Sequence, residues 1–286
     1  MGKFEEITEK LGLTERMEEI QILASGFKAV DLEGIARFEN ELQVFDLQTH
    51  QIIRKNWEEK LIKNPKMFQG PLASIQDFKV IEGVLKFRLQ RSRFDSYDGL
   101  RERLPVELDL SQPKLLDRDF CFPLSMGAVT VTAPDKENPT GTLIFGVRSK
   151  STAYGAGNST LLPAGYFNPD EDRILIGDPA RQQWLMSIRL TCIREMMEEI
   201  GINDYSGFKY LGLIHDRVLA KQPLLAVKLS LDFTAKEMKV IAHDSGFETN
   251  SYHFIPNTIE AVRGFIAEYH LGPHSMGRLI LYFARE

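Results

Sequence analysis

Cysteine is scarce, and Cys121 and Cys192 stand far apart with no metal-ligand spacing around them. This excludes a disulfide framework and a cysteine-built zinc site, and Cys192 is expected to face the core. Positive charge is not in excess either. The 35 Lys and Arg are outnumbered by 40 Asp and Glu, a net charge of −5, so neither a nucleic-acid footprint nor a basic membrane patch is expected. No apolar segment reaches transmembrane length. The opening residues, Met-Gly-Lys-Phe-Glu-Glu, lack the apolar run of an export signal, and Glu6 breaks the myristoylation pattern. A cytoplasmic protein is the expectation. Repeats, low-complexity tracts and long linkers are missing as well. What is present is ordinary globular composition, 43% hydrophobic and 26% charged over 286 residues, enough for one large domain or two modest ones around a sizeable core.

The stretch that draws chemical attention is Arg194-Glu195-Met196-Met197-Glu198-Glu199-Ile200-Gly201-Ile202. Positions three and four apart lie on one side of a helix, so Glu195, Glu198 and Glu199 converge and Arg194 sits one turn from Glu198. Like charges at that spacing destabilise a bare helix surface, and the dipole near a helix C-terminus disfavours anions. A hard divalent cation with oxygen ligands would compensate them. Mg²⁺ held by few carboxylates completes its octahedron with water and substrate phosphates, which points to phosphate chemistry. Ile193, Met196, Met197 and Ile200 give the helix apolar surface, and Gly201 suits the C′ position that stops it. The competing reading is a solvated acidic helix end.

Arg-Glu-hydrophobic-any-Glu-Glu-any-Gly-hydrophobic is the second half of the Nudix box, and the sequence resembles that superfamily of diphosphate hydrolases over all nine positions. The first half departs from the pattern. At ungapped spacing the family's Gly and Glu fall on Ala180 and Met186, whereas Gly165 and Glu171 in Leu162-Pro163-Ala164-Gly165-Tyr166-Phe167-Asn168-Pro169-Asp170-Glu171 keep the required separation. An insertion from Asp172 to about Gln182 must then loop out, with Asp178 as the expected N-cap and Pro179 as the first helical residue. This leaves Glu171 open as a ligand. The resemblance implies Mg²⁺, with Mn²⁺ as substitute, bound by Glu195, Glu198, Glu199 and the Gly165 carbonyl. Glu198, Glu195, Arg194 and Glu199 would be the catalytic set, with Arg194 orienting its carboxylate neighbours.

Upstream, Trp57, Leu61, Asn64-Pro65 and Met67-Phe68-Gln69-Gly70 precede paired strands and a polar stretch with Arg91, Arg93, Tyr97 and Asp98. Core side chains and a turn account for the first group on their own. Together the segments look like the N-terminal region of the UDP-glucose and UDP-galactose diphosphatase branch of Nudix hydrolases, whose box is also split. That implies a nucleotide-sugar substrate cleaved to UMP and a sugar 1-phosphate, with Arg91, Arg93, Tyr97 and Gly165 on the substrate side. Residues before about 45 have no counterpart. Covering a sheet edge, forming a homodimer contact and lidding the site are the roles left open to them.

Periodicity places helices over residues 48–62, 258–269 and 276–284, and strands over 78–82, 84–89, 124–132, 142–148, 208–214, 223–231 and 251–254. The expected fold is α/β in the α+β sense, a helix-sheet-helix sandwich with a mixed sheet over residues 116–286 behind an N-terminal α/β extension over 1–115. Gly155-Ala156-Gly157-Asn158 after Tyr154 reads as a turn, since no Walker lysine follows it. The general base stays open among the helix glutamates, Glu248 and Asp244, and His215-Asp216 reads first as a turn. Two alternatives remain: a Nudix diphosphatase for ADP-ribose, a dinucleotide or a coenzyme A derivative, and a non-catalytic module that binds a nucleotide sugar.

Overall fold

The computed structural model describes residues 2–27, 36–65, 67, 69–105, 120–149, 155–176, 183–242 and 249–286. The chain opens with α1 (Lys3–Leu11), which stops at Gly12 in the left-handed region, then a 3-10 turn (Thr14–Glu19) and β1 (Ile20–Ser25). β2 (Ala36–Leu42) follows, then α2 (Leu47–Lys63), whose N-terminus is capped by Asp46 accepting the Thr49 N–H at 2.7 Å. β3 (Pro71–Ile81) and β4 (Val84–Arg93) form a hairpin around Glu82 and Gly83, both at positive φ, and lead to α3 (Phe94–Leu100).

The second half brings β5 (Ser125–Ala133), β6 (Thr142–Arg148), β7 (Ser159–Leu161), β8 (Ala164–Tyr166), β9 (Arg173–Ile176) and β10 (Gln183–Met186). Then come α4 (Ile188–Ile200), β11 (Gly207–Asp216), β12 (Pro223–Thr234), α5 (Ala235–Ile241), β13 (Thr249–Pro256), α6 (Ile259–Glu268) and α7 (Pro273–Phe283).

The strands make two sheets. One runs β1-β11-β12-β5-β6-β13, with β7 on β6 and β8 on β5, and is mixed because β12 and β5 are parallel. Its two faces are read directly from alternation along the strands. Leu225, Val227 and Leu229 of β12 enter a core shared with Cys192 and Met196 of α4, while Leu224 and Ala226 enter the opposite core with Leu279 and Ile280 of α7. Helices therefore cover both faces, α4 on one side and α1, α6 and α7 on the other, as the sandwich reading requires. The second sheet, β3-β4-β2-β10-β9, packs Leu72, Ile75, Phe87 and Leu89 into the α4 core.

Strand pairing crosses the expected division at 115/116 in both directions, and that division itself falls outside the described residues. β1 pairs with β11, and β10 pairs with β2. Within the insertion, residues 173–176 form a strand rather than a loop: β9 pairs antiparallel with β10 and extends the N-terminal sheet, and 177–182 lie outside the described residues. Asp178 and Pro179 lie outside the described residues. The α4 helix starts later, at Ile188, and its cap is Ser187, whose hydroxyl accepts the Leu190 N–H at 3.3 Å. At the other end Gly201 terminates α4 in the left-handed region, as expected. Both described cysteines are free and buried, and among the described residues no helix is long and apolar enough to cross a membrane.

His215, fully buried at the end of β11, is held neutral: burial, then the nearby His274, push its pKa down to about 4. A depressed histidine contributes stability that is complete above its unfolded value and lost as pH falls from about 6.5 toward 4. We expect about 2–4 kcal/mol of unfolding free energy to disappear over that window. Urea titrations at pH 7.0 and 4.5 check this, and the loss should shrink in His215→Gln.

Candidate active site

α4 brings three of its acidic side chains to one wall of a cavity of about 630 Å³ at the end of the large sheet. β8 lies over the helix there, because Leu162-Pro163 turns the chain back and Met126 of β5 pairs with Gly165. Glu195 is buried beneath Gly165. A Cβ at position 165 would lie 1.8 Å from Glu195 Oε1, so this close approach admits only glycine. Glu199 is buried too, and its Oε2 accepts the Ala164 N–H at 2.7 Å. Glu198 is half exposed.

Arg194 ties the cluster together. Its Nε donates to Asp172 Oδ1 at 3.0 Å and Nη2 to Asp172 Oδ2 at 2.8 Å, while Nη2 also meets the Tyr166 carbonyl at 2.7 Å. Nη1 then points between Glu195 Oε1 at 2.7 Å and Glu198 Oε2 at 3.4 Å. Burial opposes its charge, but Asp172, Glu195 and Glu198 hold the guanidinium above its ordinary pKa. Burial likewise dominates at Glu195. It pushes that carboxyl up to about 8, against the pull of Arg194 and with the push of Glu198.

The donor types fit a hard divalent cation: Glu195 and Glu198 both reach Arg194 Nη1, and the buried Glu195 carboxyl is held above its usual range. Among the described residues no three His, Cys, Asp or Glu side chains stand together as a ready donor set. The reason is visible in the contacts, since Arg194 lies between Glu195 and Glu198 and Glu199 is turned to a backbone N–H.

The cavity brings together Glu195, Glu198, Glu199, Arg194 and Gly165. It does not bring Arg91, Arg93 or Tyr97. Arg91 is spent on Asp170, with Oδ1 at 2.5 Å, and on Asn40; Arg93 pairs with Gln69 and with Asp95 at 3.2 Å. Tyr97 is completely buried, its hydroxyl donating to the Ala220 carbonyl. Glu171 is exposed, accepts from Asn168 at 2.8 Å and lies 3.9 Å from Arg194. Asp216 forms the turn that its sequence suggests, its carboxylate accepting the N–H groups of Val218, Leu219 and Ala220 at 2.7–3.1 Å. Gly155 to Asn158 is likewise a turn, and it lines the cavity. Glu248 and Asp244 fall outside the described residues.

Two groups escaped the sequence reading. Asp172 is a single carboxylate in what looked like a loop, with no local signal for its pairing to Arg194. Arg148 and the start of α7, which also line the cavity, come from segments with no motif.

No protein-family model and no curated protein matches the chain significantly. Solved structures do. The MutT protein from Methanosarcina mazei Go1 is 18% identical at a TM-score of 0.38, over 57% of this chain and 92% of that one. The NUDIX domain of Shewanella oneidensis NrtR, complexed with ADP ribose, is 12% identical at 0.39, over 57% and 86%. A NUDIX hydrolase from Nitrosomonas europaea is 16% identical at 0.33, over 57% and 88%.

Proposed function

We propose that the chain is a Nudix-type, Mg²⁺-dependent hydrolase that cleaves the diphosphate of a UDP-sugar, UDP-glucose or UDP-galactose, to UMP and a sugar 1-phosphate. The observation that carries this reading is the placement of Glu195, Glu198 and Glu199, with Arg194 anchored among them, on the wall of one nucleotide-sized cavity. The uridine assignment draws support from the segment that carries the narrower resemblance. Asn64, Met67, Gly70 and Phe94 of that segment line the same cavity.

Mg²⁺, or Mn²⁺ in its place, would be held by Glu195, Glu198, Glu199 and the Gly165 carbonyl, and once bound it neutralises phosphate charge and acidifies water. The chain's own groups prepare the site. Arg194, fixed by Asp172 and the Tyr166 carbonyl, sets the directions of Glu195 and Glu198. Gly165 lets the strand close onto Glu195. Glu198 is the most exposed of the three glutamates and takes the proton-accepting role in this reading. Phe94, Tyr166 and Met67 supply an apolar wall that excludes water from the diphosphate.

A panel of UDP-glucose, UDP-galactose, GDP-mannose, ADP-ribose, NADH and diadenosine polyphosphates, with Mg²⁺ and with chelator, tests the reading. UMP release from the UDP-sugars is expected with metal alone, and Glu198→Gln should lower kcat by about 10²–10⁴-fold. Turnover of another member would keep the metal helix and discard uridine. Tight UDP-sugar binding with no hydrolysis at any Mg²⁺ or Mn²⁺ concentration would sink the enzyme and leave a binding module.

A further inference from the structure

Arg278 of α7 is completely buried, yet every oxygen that takes its N–H groups is neutral. Nε donates to the His274 carbonyl at 3.4 Å, and Nη2 to the hydroxyls of Thr160 at 3.2 Å and Ser275 at 2.8 Å. Nη1 donates to the carbonyls of Ala128 at 2.9 Å and Pro163 at 3.4 Å. Gly127 clears the space, since a Cβ there would stand 2.7 Å from Nη1 and 2.9 Å from Cζ. A buried cation with no carboxylate among its hydrogen bonds is costly, and an apolar side chain would fill the place at lower cost.

The Pro163–Ala164 peptide lies between this arginine and the glutamate helix. Its carbonyl takes Arg278 Nη1 and also the Ala128 N–H at 2.9 Å, while its N–H donates to Glu199 Oε2 at 2.7 Å. The carbonyl and N–H of a trans peptide point to opposite sides. The cation therefore sits at the negative end of one peptide dipole and the buried carboxylate at its positive end, so that each hydrogen bond polarises the other. Glu199 is also the acid whose charge favours the guanidinium through space. The residue after Ala164 is Gly165, which is packed onto Glu195. One planar fork thus ties β7, β5 and the residue before β8 to α7, and the backbone it grips is the segment that meets two of the three glutamates.

We infer that Arg278 is a positioning residue for the glutamate wall: through the Pro163–Ala164 peptide it holds Glu199 from the far side of the backbone and keeps Gly165 seated on Glu195. Its part in turnover rests on the hydrolase reading above, whereas its hold on the backbone and on Glu199 does not.

Three variants and a control test this. Arg278→Met removes charge and fork, Arg278→Lys keeps the charge alone, and Gly127→Ala keeps both but crowds Nη1 at its carbonyl partners. Leu279→Ala, buried in the core on the α7 face of the sheet, reports loss of helix packing only. Mn²⁺ binding to otherwise metal-free protein, followed by electron paramagnetic resonance below the lowest Tm, should weaken roughly 10- to 100-fold in Arg278→Met, as when a group that orients ligands is lost. Arg278→Lys and Gly127→Ala should fall between it and the wild type, and Leu279→Ala should lower the Tm with Mn²⁺ affinity unchanged. With a UDP-sugar, kcat should fall in the same order while KM stays within about threefold. In metal-free protein the Ala164 amide proton should move upfield in Gly127→Ala as its bond to Glu199 lengthens. Mn²⁺ affinity within about twofold of wild type in both Arg278→Lys and Gly127→Ala would overturn the inference, and so would equal weakening in Leu279→Ala. These variants decide the matter if Arg278→Met does not fold. A wild-type chain that neither binds Mn²⁺ nor turns over sinks the hydrolase reading alone. The Ala164 amide then decides: a shift in Gly127→Ala supports the inference, and an unchanged signal overturns it.

Discussion

Arg194→Ala is expected to destabilise the chain by about 3–5 kcal/mol at neutral pH, the usual result of removing one partner from a buried charge cluster. The side chain compensates Asp172, which is 1% exposed, and Glu195, which is 8% exposed. Without it these acids face each other and Glu198 with no cation between them. Arg194→Lys should recover only part of the loss. An ammonium keeps the charge but cannot span Asp172, the Tyr166 carbonyl and Glu195 with one planar fork. The intact chain should also gain stability in mild acid. Glu195 is held up at about 8 from its ordinary 4.5, so its contribution to stability is full below 4.5 and lost as pH rises through about 8. Urea unfolding at pH 7.5 and 5.5 would show the difference. A loss below about 1 kcal/mol at pH 7.5, the scale of an exposed pair, would mean that the cluster is solvated.

Gly165→Ala should have the larger effect on activity. Its new methyl would stand 1.8 Å from Glu195 Oε1, 1.9 Å from Cδ and 2.2 Å from Oε2. Glutamate is flexible in general, but this one is buried beneath β8 and held by Arg194 at 2.7 Å. Relief must come from expelling the carboxylate or lifting the strand, and lifting the strand disturbs the Ala164 N–H that Glu199 accepts. We expect a stability cost of about 1–3 kcal/mol, typical of overpacking, and, on the proposed hydrolase reading, a loss of kcat/KM of more than about 10²-fold, because a site group displaced by an ångström no longer serves. Steady-state kinetics across Mg²⁺ concentrations check this. Activity within threefold of wild type would show that Glu195 is dispensable.

The sequence made the α4 cluster legible because helical period alone places Glu195, Glu198, Glu199 and Arg194 within reach of one another. The Gly201 stop and the long strands from Ser125 to Thr234 were readable for the same reason, since local pattern and tertiary role agree there. Residues 173–176 are a strand where local pattern suggests a loop, because short strands such as Arg173–Ile176 declare themselves only through a partner, and Gln183–Met186 finds its second neighbour in β2, far away in the chain. Ser187 capped α4 unnoticed beside the more conspicuous Asp178-Pro179. Arg91, Arg93 and Tyr97 carry the residue types of a binding surface, yet the structure occupies them with Asp170, Gln69 and the Ala220 carbonyl. Nothing in a linear sequence reports which donors are already taken.

The pairing of β1 with β11 and of β2 with β10 also sets an order for synthesis. As the chain leaves the ribosome, Ile20 must wait for Asp216, and Phe38 for Trp184, before either strand has its antiparallel neighbour. Neither sheet can be completed from one half of the nascent polypeptide. Such long-range closure is slow, and in the interval the exposed edges of β1 and β2 are open to other chains. Production of this protein should therefore be more sensitive to translation speed and to chaperones that shield strand edges than that of a two-domain chain of the same length.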